Sequence, residues 1–119
     1  MEYARYDLSD LVKEVLKENE DLQWLVGYLG KICFLKTEKL GGDIVAKTKG
    51  ITPPLSLLTE YRYLIIVSEE KFSALSKDSQ KKVIEHELRH IPEEFDGKTV
   101  VHDVEDFKVM IDKYGVDYV

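Results

Sequence analysis

The chain has 119 residues, which is enough for one hydrophobic core, so we expect a single domain over residues 1–119. Its 17 basic and 23 acidic residues give a formal net charge of −6, and an acidic protein is repelled by phosphate backbones, so no nucleic-acid partner is expected. The lone cysteine, Cys33, excludes an internal disulfide, and no apolar run reaches the roughly 18 residues that span a bilayer, so we expect a cytoplasmic protein with no membrane partner.

The first predicted element is an amphipathic N-terminal helix. Asp7 is a candidate cap for its start, because a short acidic side chain accepts hydrogen bonds from the backbone N–H groups of the first turn. The apolar residues that follow recur at helical spacing and predict one buried face, formed by Leu8, Leu11, Val12, Val15 and Leu16.

Three short segments in the middle of the chain are predicted to be strands. Ile32–Leu35 is an apolar run, and Asp43–Lys49 follows a turn signal at Gly41-Gly42, so these two segments are predicted to pair as a hairpin. Tyr61–Val67 is dense in aromatic and β-branched residues and gives the strongest strand signal. Together the segments predict a small, mainly antiparallel sheet.

The Tyr61–Val67 strand also carries two functional candidates. If one of its edges is open, an extended peptide can pair with it as an added strand. Tyr61 and Tyr63 are candidate hydrogen-bond donors to a developing oxyanion, as are Tyr114 and Tyr118 near the end of the chain.

Two more helices are predicted in the C-terminal half. Ser76 is a favourable N-cap for a helix from Lys77 to about Ile91, which Pro92 ends. Asp103 is a candidate cap for a last helix, with Gly115 as its C-terminal stop. The order of helix, strands and two helices is typical of an α+β domain.

Residues 86–90 read His86-Glu87-Leu88-Arg89-His90, an H-E-x-x-H motif on the predicted Lys77–Ile91 helix. Residues four positions apart share a helix face, so both histidines can reach one metal ion. The intervening glutamate is placed where its carboxylate can reach a water on that metal. Zinc lowers the pKa of such a water, and a carboxylate can take its proton and deliver it to a leaving amine. The motif therefore predicts His86 and His90 as zinc ligands and Glu87 as the general base.

A catalytic zinc site needs a third protein ligand, and the remaining histidine, His102, is the first candidate. Pro92 breaks the helix and Gly97 allows a reversal, so the chain can return His102 to the metal just before the last helix. The alternatives are carboxylates, which are also ordinary zinc ligands: Glu105 and Asp106 in the first turn of the last helix, and Glu93, Glu94 and Asp96 in the loop.

The segment from about Tyr63 to the end resembles the putative phage metallopeptidase family, small intracellular H-E-x-x-H proteins. The likeness rests on Leu64-Ile65-Ile66-Val67, on the H-E-x-x-H motif and on His102-Asp103-Val104-Glu105-Asp106-Phe107. The element order is similar to the minigluzincins, whose third ligand is a glutamate on the following helix. It is also similar to the SprT-like proteases, whose third ligand is a histidine at that helix start.

These resemblances imply a minimal zincin-like metallopeptidase domain. The resemblance to the SprT-like proteases implies that His102 is the third ligand of a Zn²⁺ cofactor. The resemblance to the minigluzincins implies that the third ligand is Glu105 or a neighbour. The minigluzincins occur as latent forms, so the resemblance leaves a latent enzyme open.

The sequence thus predicts a zinc-dependent peptidase that cleaves peptide or protein substrates with a zinc-activated water. Its expected ligands are His86, His90 and His102, and its expected base is Glu87. The alternative is a non-catalytic domain on a peptidase-like scaffold, in which zinc stabilises the fold or a partner binds.

Overall fold

A computed structural model describes residues 2–38 and 40–100 of the chain. These residues contain four strands, β1 (Tyr3–Arg5), β2 (Ile32–Thr37), β3 (Ala46–Gly50) and β4 (Tyr63–Ser68). They also contain three α-helices, α1 (Ser9–Glu18), α2 (Glu69–Ser73) and α3 (Lys77–Leu88), and two 3-10 segments, Glu20–Lys31 and Leu55–Leu57. The predicted α+β class is confirmed. The predicted last helix, after Asp103, lies outside the described residues.

Helix α1 forms as its apolar spacing predicts. Val12, Val15 and Leu16 are buried on one face and join the core. Asp7 Oδ1 accepts hydrogen bonds from the backbone N of Ser9 at 3.1 Å and from Ser9 Oγ at 2.7 Å. Asp7 lies two positions before Ser9 and the N-cap position is taken by Leu8, so the predicted cap at Asp7 is wrong by one position. No helix in the described part of the chain is long and apolar enough to cross a bilayer.

The four strands form one sheet in the order β1-β2-β4-β3, in which β2 and β4 are parallel and the other two pairs are antiparallel. The predicted hairpin between Ile32–Leu35 and Asp43–Lys49 is therefore wrong, because β3 pairs with β4. Strand β4 buries side chains on both faces, so it takes a central position. Strand β3, with Lys47 and Lys49, takes an edge, where lysine is favoured.

The functional prediction for the Tyr61–Val67 strand also changes. Strand β4 is paired on both sides, so neither of its edges is open to a peptide. Among the described residues, β3 has β4 as its one strand neighbour and β1 has β2. An extended peptide would therefore add to an outer strand of the sheet.

Strand β4 leads through α2 into α3, and serine caps fix both helix starts. Ser68 Oγ accepts a hydrogen bond from Lys71 N at 3.4 Å, and Ser76 Oγ accepts one from Ser79 N at 3.2 Å. Helix α3 then packs on the sheet through Ile84 and Leu88, both fully buried in the core.

Helix α3 ends at Leu88, three residues before the predicted end at Ile91. Proline disfavours the helical conformation of the residue before it, so Pro92 acts on Ile91. The chain tightens there, with His90 N bonded to Glu87 O and Ile91 N bonded to Leu88 O, both at 3.1 Å. The second histidine of the motif thus lies on a tight turn that directly follows the helix.

Candidate metal centre

The two histidines and the glutamate of the motif lie close together at the end of α3. His86 and Glu87 lie in the last turn of the helix and His90 lies in the tight turn after it. Their candidate ligand atoms all lie within 4.8 Å of one another. The two imidazole rings are 5.2 Å apart between centroids and nearly perpendicular. This spacing approaches that of side chains that share one metal ion, whose bonds to imidazole nitrogens are about 2.0–2.1 Å long.

The loop after α3 orients the His90 ring. His90 Nδ1 lies 2.8 Å from the carbonyl oxygen of Val100, and Val100 N donates to the carbonyl oxygen of His90 at 2.7 Å. A carbonyl oxygen only accepts hydrogen bonds, so Nδ1 carries the proton and Nε2 is left available to a metal ion. A carbonyl behind a metal-binding imidazole is a common supporting contact in zinc sites. The residues present therefore fit a zinc ion.

Glu87 is almost completely buried, with 5% of its surface exposed. The hydroxyl of Thr48 lies 2.9 Å from Glu87 Oε1 and 3.0 Å from its backbone oxygen. Burial raises the pKa of Glu87, and the Thr48 hydrogen bond and the charge of His90 oppose that rise in part. A buried carboxyl group with a shifted pKa, lying beside two histidines, is a candidate for proton transfer.

Thr48 belongs to the edge strand β3 and was not a sequence candidate. It pairs with Ile65 of β4, so its side chain is on the same sheet face as that core residue, where α3 packs. It is 39 residues from Glu87 along the chain, so only the pairing of β3 with β4 brings the two together. Side chains alternate between the two faces of a strand, and this alternation along β3 could have identified Thr48 only once the pairing of β3 with β4 was known.

Comparison with known families adds independent information. A model of the family described as putative phage metallopeptidase matches residues 1–119. The chain belongs to the putative phage metallopeptidase family. Comparisons with curated proteins and with solved structures give no significant match. Family membership supports a metal-dependent peptidase, and the group of His86, Glu87 and His90 is a place where this metallopeptidase can hold its metal.

The third ligand of this metallopeptidase stays a prediction. His102, Glu105 and Asp106 lie outside the described residues. The loop acids Glu93, Glu94 and Asp96 are described, and they do not join the His86–Glu87–His90 group. Asp96 Oδ1 instead accepts a hydrogen bond from Lys98 N at 3.1 Å.

The two described tyrosines that were oxyanion candidates have other partners. Tyr63 uses its single hydroxyl hydrogen on the carbonyl oxygen of Lys98, so it is not an oxyanion donor here. The Tyr61 hydroxyl accepts a hydrogen bond from the guanidinium of Arg5 at 2.8 Å. Tyr114 and Tyr118 lie outside the described residues.

Arg89, inside the motif, has a structural partner. Its Nε lies 3.0 Å from Oε2 of Glu85, and its NH1 lies 2.7 Å from Oδ2 of Asp21. Glu85 is 1% exposed, so this ion pair compensates a buried charge. The guanidinium therefore links α3 to the 3-10 segment that contains Asp21.

Proposed function

We propose that the chain is a zincin-like, zinc-dependent peptidase in which His86 and His90 bind the metal and Glu87 is the general base. The observation that carries the proposal is the convergence of two imidazoles on a buried carboxyl group. His102 is proposed as the third ligand from the sequence. The proposed substrate is a peptide or protein, and the proposed compartment is the cytoplasm, where a lone cysteine stays reduced.

The metal and the side chains of this site have separate roles in the proposed peptide hydrolysis. Zinc bound here would lower the pKa of a water and polarise the peptide carbonyl. Glu87 accepts a proton on its carboxylate and passes it to the nitrogen of the leaving amine. Thr48 holds the carboxylate in place during the transfer.

The position of β3 supplies a path for the substrate. Thr48 is the middle residue of this outer strand and contacts Glu87 directly. An extended peptide that pairs with the outer edge of β3 therefore runs past the base. Main-chain hydrogen bonds to the strand would give affinity that depends little on peptide sequence.

Metal removal and replacement test the proposal. Purified protein is treated with a chelator, and cleavage of a mixed peptide pool is followed by mass spectrometry before and after one equivalent of Zn²⁺ is added. We expect cleavage to stop on chelation and to return with zinc. The Glu87→Gln variant, which keeps both histidines, serves as a control against a contaminating protease and should stay inactive with zinc. Zinc that restores the melting temperature without cleavage of any peptide contradicts the proposal and favours the non-catalytic alternative.

The third ligand is tested by a matched pair of substitutions. We expect His102→Ala to weaken zinc binding by more than about 100-fold, the upper end for losing a supporting contact. Glu105→Ala should bind zinc nearly as tightly as the wild type. Tight zinc binding by His102→Ala, with a loss in Glu105→Ala, would assign the role to the glutamate.

A further inference from the structure

Tyr63 is completely buried on β4, yet its hydroxyl makes two hydrogen bonds to the loop that follows α3. The hydroxyl oxygen accepts from Gly97 N at 3.0 Å, and the hydroxyl hydrogen is donated to the Lys98 oxygen at 2.6 Å. The ring packs edge-on against Phe95 of the same loop, with 4.9 Å between centroids. Tyr63 therefore holds this loop through its ring and through both hydrogen-bonding functions of its hydroxyl.

The same stretch of loop is also confined from the side of β3. Gly97 has a φ of +89°, and a Cβ built on it would overlap the carbonyl oxygen of Ile51. A Cβ at Gly50, the last residue of β3, would in turn overlap the carbonyl oxygen of Gly97. The loop thus passes against the end of the edge strand, where two glycines allow backbone to meet backbone.

The restrained loop ends at the metal centre. Only Thr99 separates Lys98 from Val100, whose carbonyl oxygen accepts the hydrogen bond from His90 Nδ1. A second hydrogen bond, from the backbone N–H of Val100 to the carbonyl oxygen of His90, joins the same two residues. The position of the Val100 carbonyl therefore depends on where Gly97 and Lys98 are held.

We propose that Tyr63 is a positioning residue of the metal centre. It acts through residues 97–100 to hold the Val100 carbonyl against His90 Nδ1, which keeps the ring in the tautomer that offers Nε2 to the metal. This role rests on the proposed function, because it gives His90 the part of a ligand. It differs from simple loop stabilisation, which would leave the tautomer and the zinc affinity unchanged.

The test compares Tyr63→Phe with Tyr28→Phe. Both variants keep a ring beside Phe95, since Tyr28 stacks on it at 4.5 Å between centroids. The Tyr28 hydroxyl makes no hydrogen bond to the described residues, so its removal is the matched control. Two quantities are measured, the ¹⁵N chemical shifts of the His90 ring in metal-free protein and the zinc dissociation constant by competition with a chromophoric chelator.

We expect wild-type protein and Tyr28→Phe to show His90 protonated on Nδ1. Tyr63→Phe should show a mixture of tautomers and bind zinc about 10- to 100-fold more weakly, the range for loss of a contact that supports a ligand. An unchanged tautomer with a zinc affinity within about twofold of the wild type would overturn the role of Tyr63.

Two further results keep this test decisive. If Tyr63→Phe does not fold, the wild-type spectrum still tests the proposal. Protonation of His90 on Nε2 in the metal-free protein would contradict it. Zinc uptake by the wild type is measured first: no uptake contradicts the proposed function itself. Normal uptake with an unaffected Tyr63→Phe variant contradicts only the role of Tyr63.

Discussion

Two buried glutamates on α3 lie two residues apart and have opposite surroundings. Glu85 is 1% exposed and forms an ion pair with Arg89, which reaches on to Asp21. Glu87 is 5% exposed, and the hydroxyl of Thr48 lies 2.9 Å from its Oε1. One helix thus contains a buried carboxylate that is paired with a guanidinium and a buried carboxyl group whose hydrogen-bond partner is a neutral hydroxyl.

The difference suits the two glutamates to different roles, a structural one for Glu85 and the proposed catalytic one for Glu87. A buried charge must be paired or hydrogen-bonded, and the guanidinium of Arg89 does this for Glu85. The hydroxyl of Thr48 stabilises a buried negative charge less than a guanidinium does, so burial raises the pKa of Glu87. Groups whose environment shifts their pKa in this way are concentrated at functional sites. We therefore expect the two residues to respond in opposite ways to the same substitution.

The largest expected contrast is in catalysis. Glu87→Gln removes the proposed base and should lower the rate of peptide cleavage by about 10²- to 10⁴-fold, the usual contribution of general base catalysis. Glu85→Gln changes the same atoms on the opposite side of the helix and should cleave at nearly the wild-type rate per folded molecule. Single-turnover cleavage with equal amounts of folded protein measures both. An equal loss of cleavage rate in the two variants would contradict the different roles given to Glu85 and Glu87.

The next contrast is in stability. Glu85→Gln removes the buried charge that pairs with Arg89, while Asp21 still pairs with the guanidinium, so we expect the free energy of unfolding to fall by about 1.5–3 kcal/mol, the contribution of a hydrogen bond to a charged group. Glu87→Gln replaces a poorly compensated carboxyl by a neutral amide, so the metal-free variant should be at least as stable as the wild type at neutral pH. Urea unfolding of both metal-free variants gives the values. A Glu87→Gln variant that is the less stable of the two would show that Glu87 is the structural residue.

A smaller effect is expected from Thr48, which contacts the proposed base. Thr48→Val keeps the β-branched shape and removes the hydroxyl, and a hydrogen bond to a charged group contributes about 1.5 kcal/mol, or roughly tenfold in rate. We expect cleavage to fall by about that factor while zinc uptake is unchanged. Thr48→Ser keeps the hydroxyl and is the control. Wild-type cleavage by the valine variant would exclude the role of Thr48.

The smallest effect is a dependence on pH. The folded metal-free protein binds a proton at Glu87 more readily than the unfolded chain, because burial raises the pKa of the folded state. The favourable contribution of the protonated form is present below the unfolded pKa and is lost as the pH rises through the folded pKa. The stability gain of Glu87→Gln over the wild type should therefore grow with pH and then level off. A gain that is independent of pH would contradict the raised pKa.

Local patterns in the sequence were enough to locate much of this site. The spacing of His86, Glu87 and His90 needs only one helical turn, and the cap at Ser76 needs only the next three residues. Contacts between distant segments could not be obtained in this way. The pairing of β3 with β4 depends on which strand buries both faces, and the Thr48–Glu87 contact follows from that pairing. The ion pair between Arg89 and Asp21 likewise joins residues 68 positions apart.

Zinc analysis of purified variants tests the central claim most directly. Wild type and Glu87→Gln should each retain about one zinc ion per chain after dialysis, because the proposed role of the carboxyl group is that of a base and both histidines are intact. His86→Ala and His90→Ala should each retain almost none while still folding, as judged by circular dichroism. Stoichiometric zinc in both histidine variants would contradict the claim that the end of α3 is the metal centre.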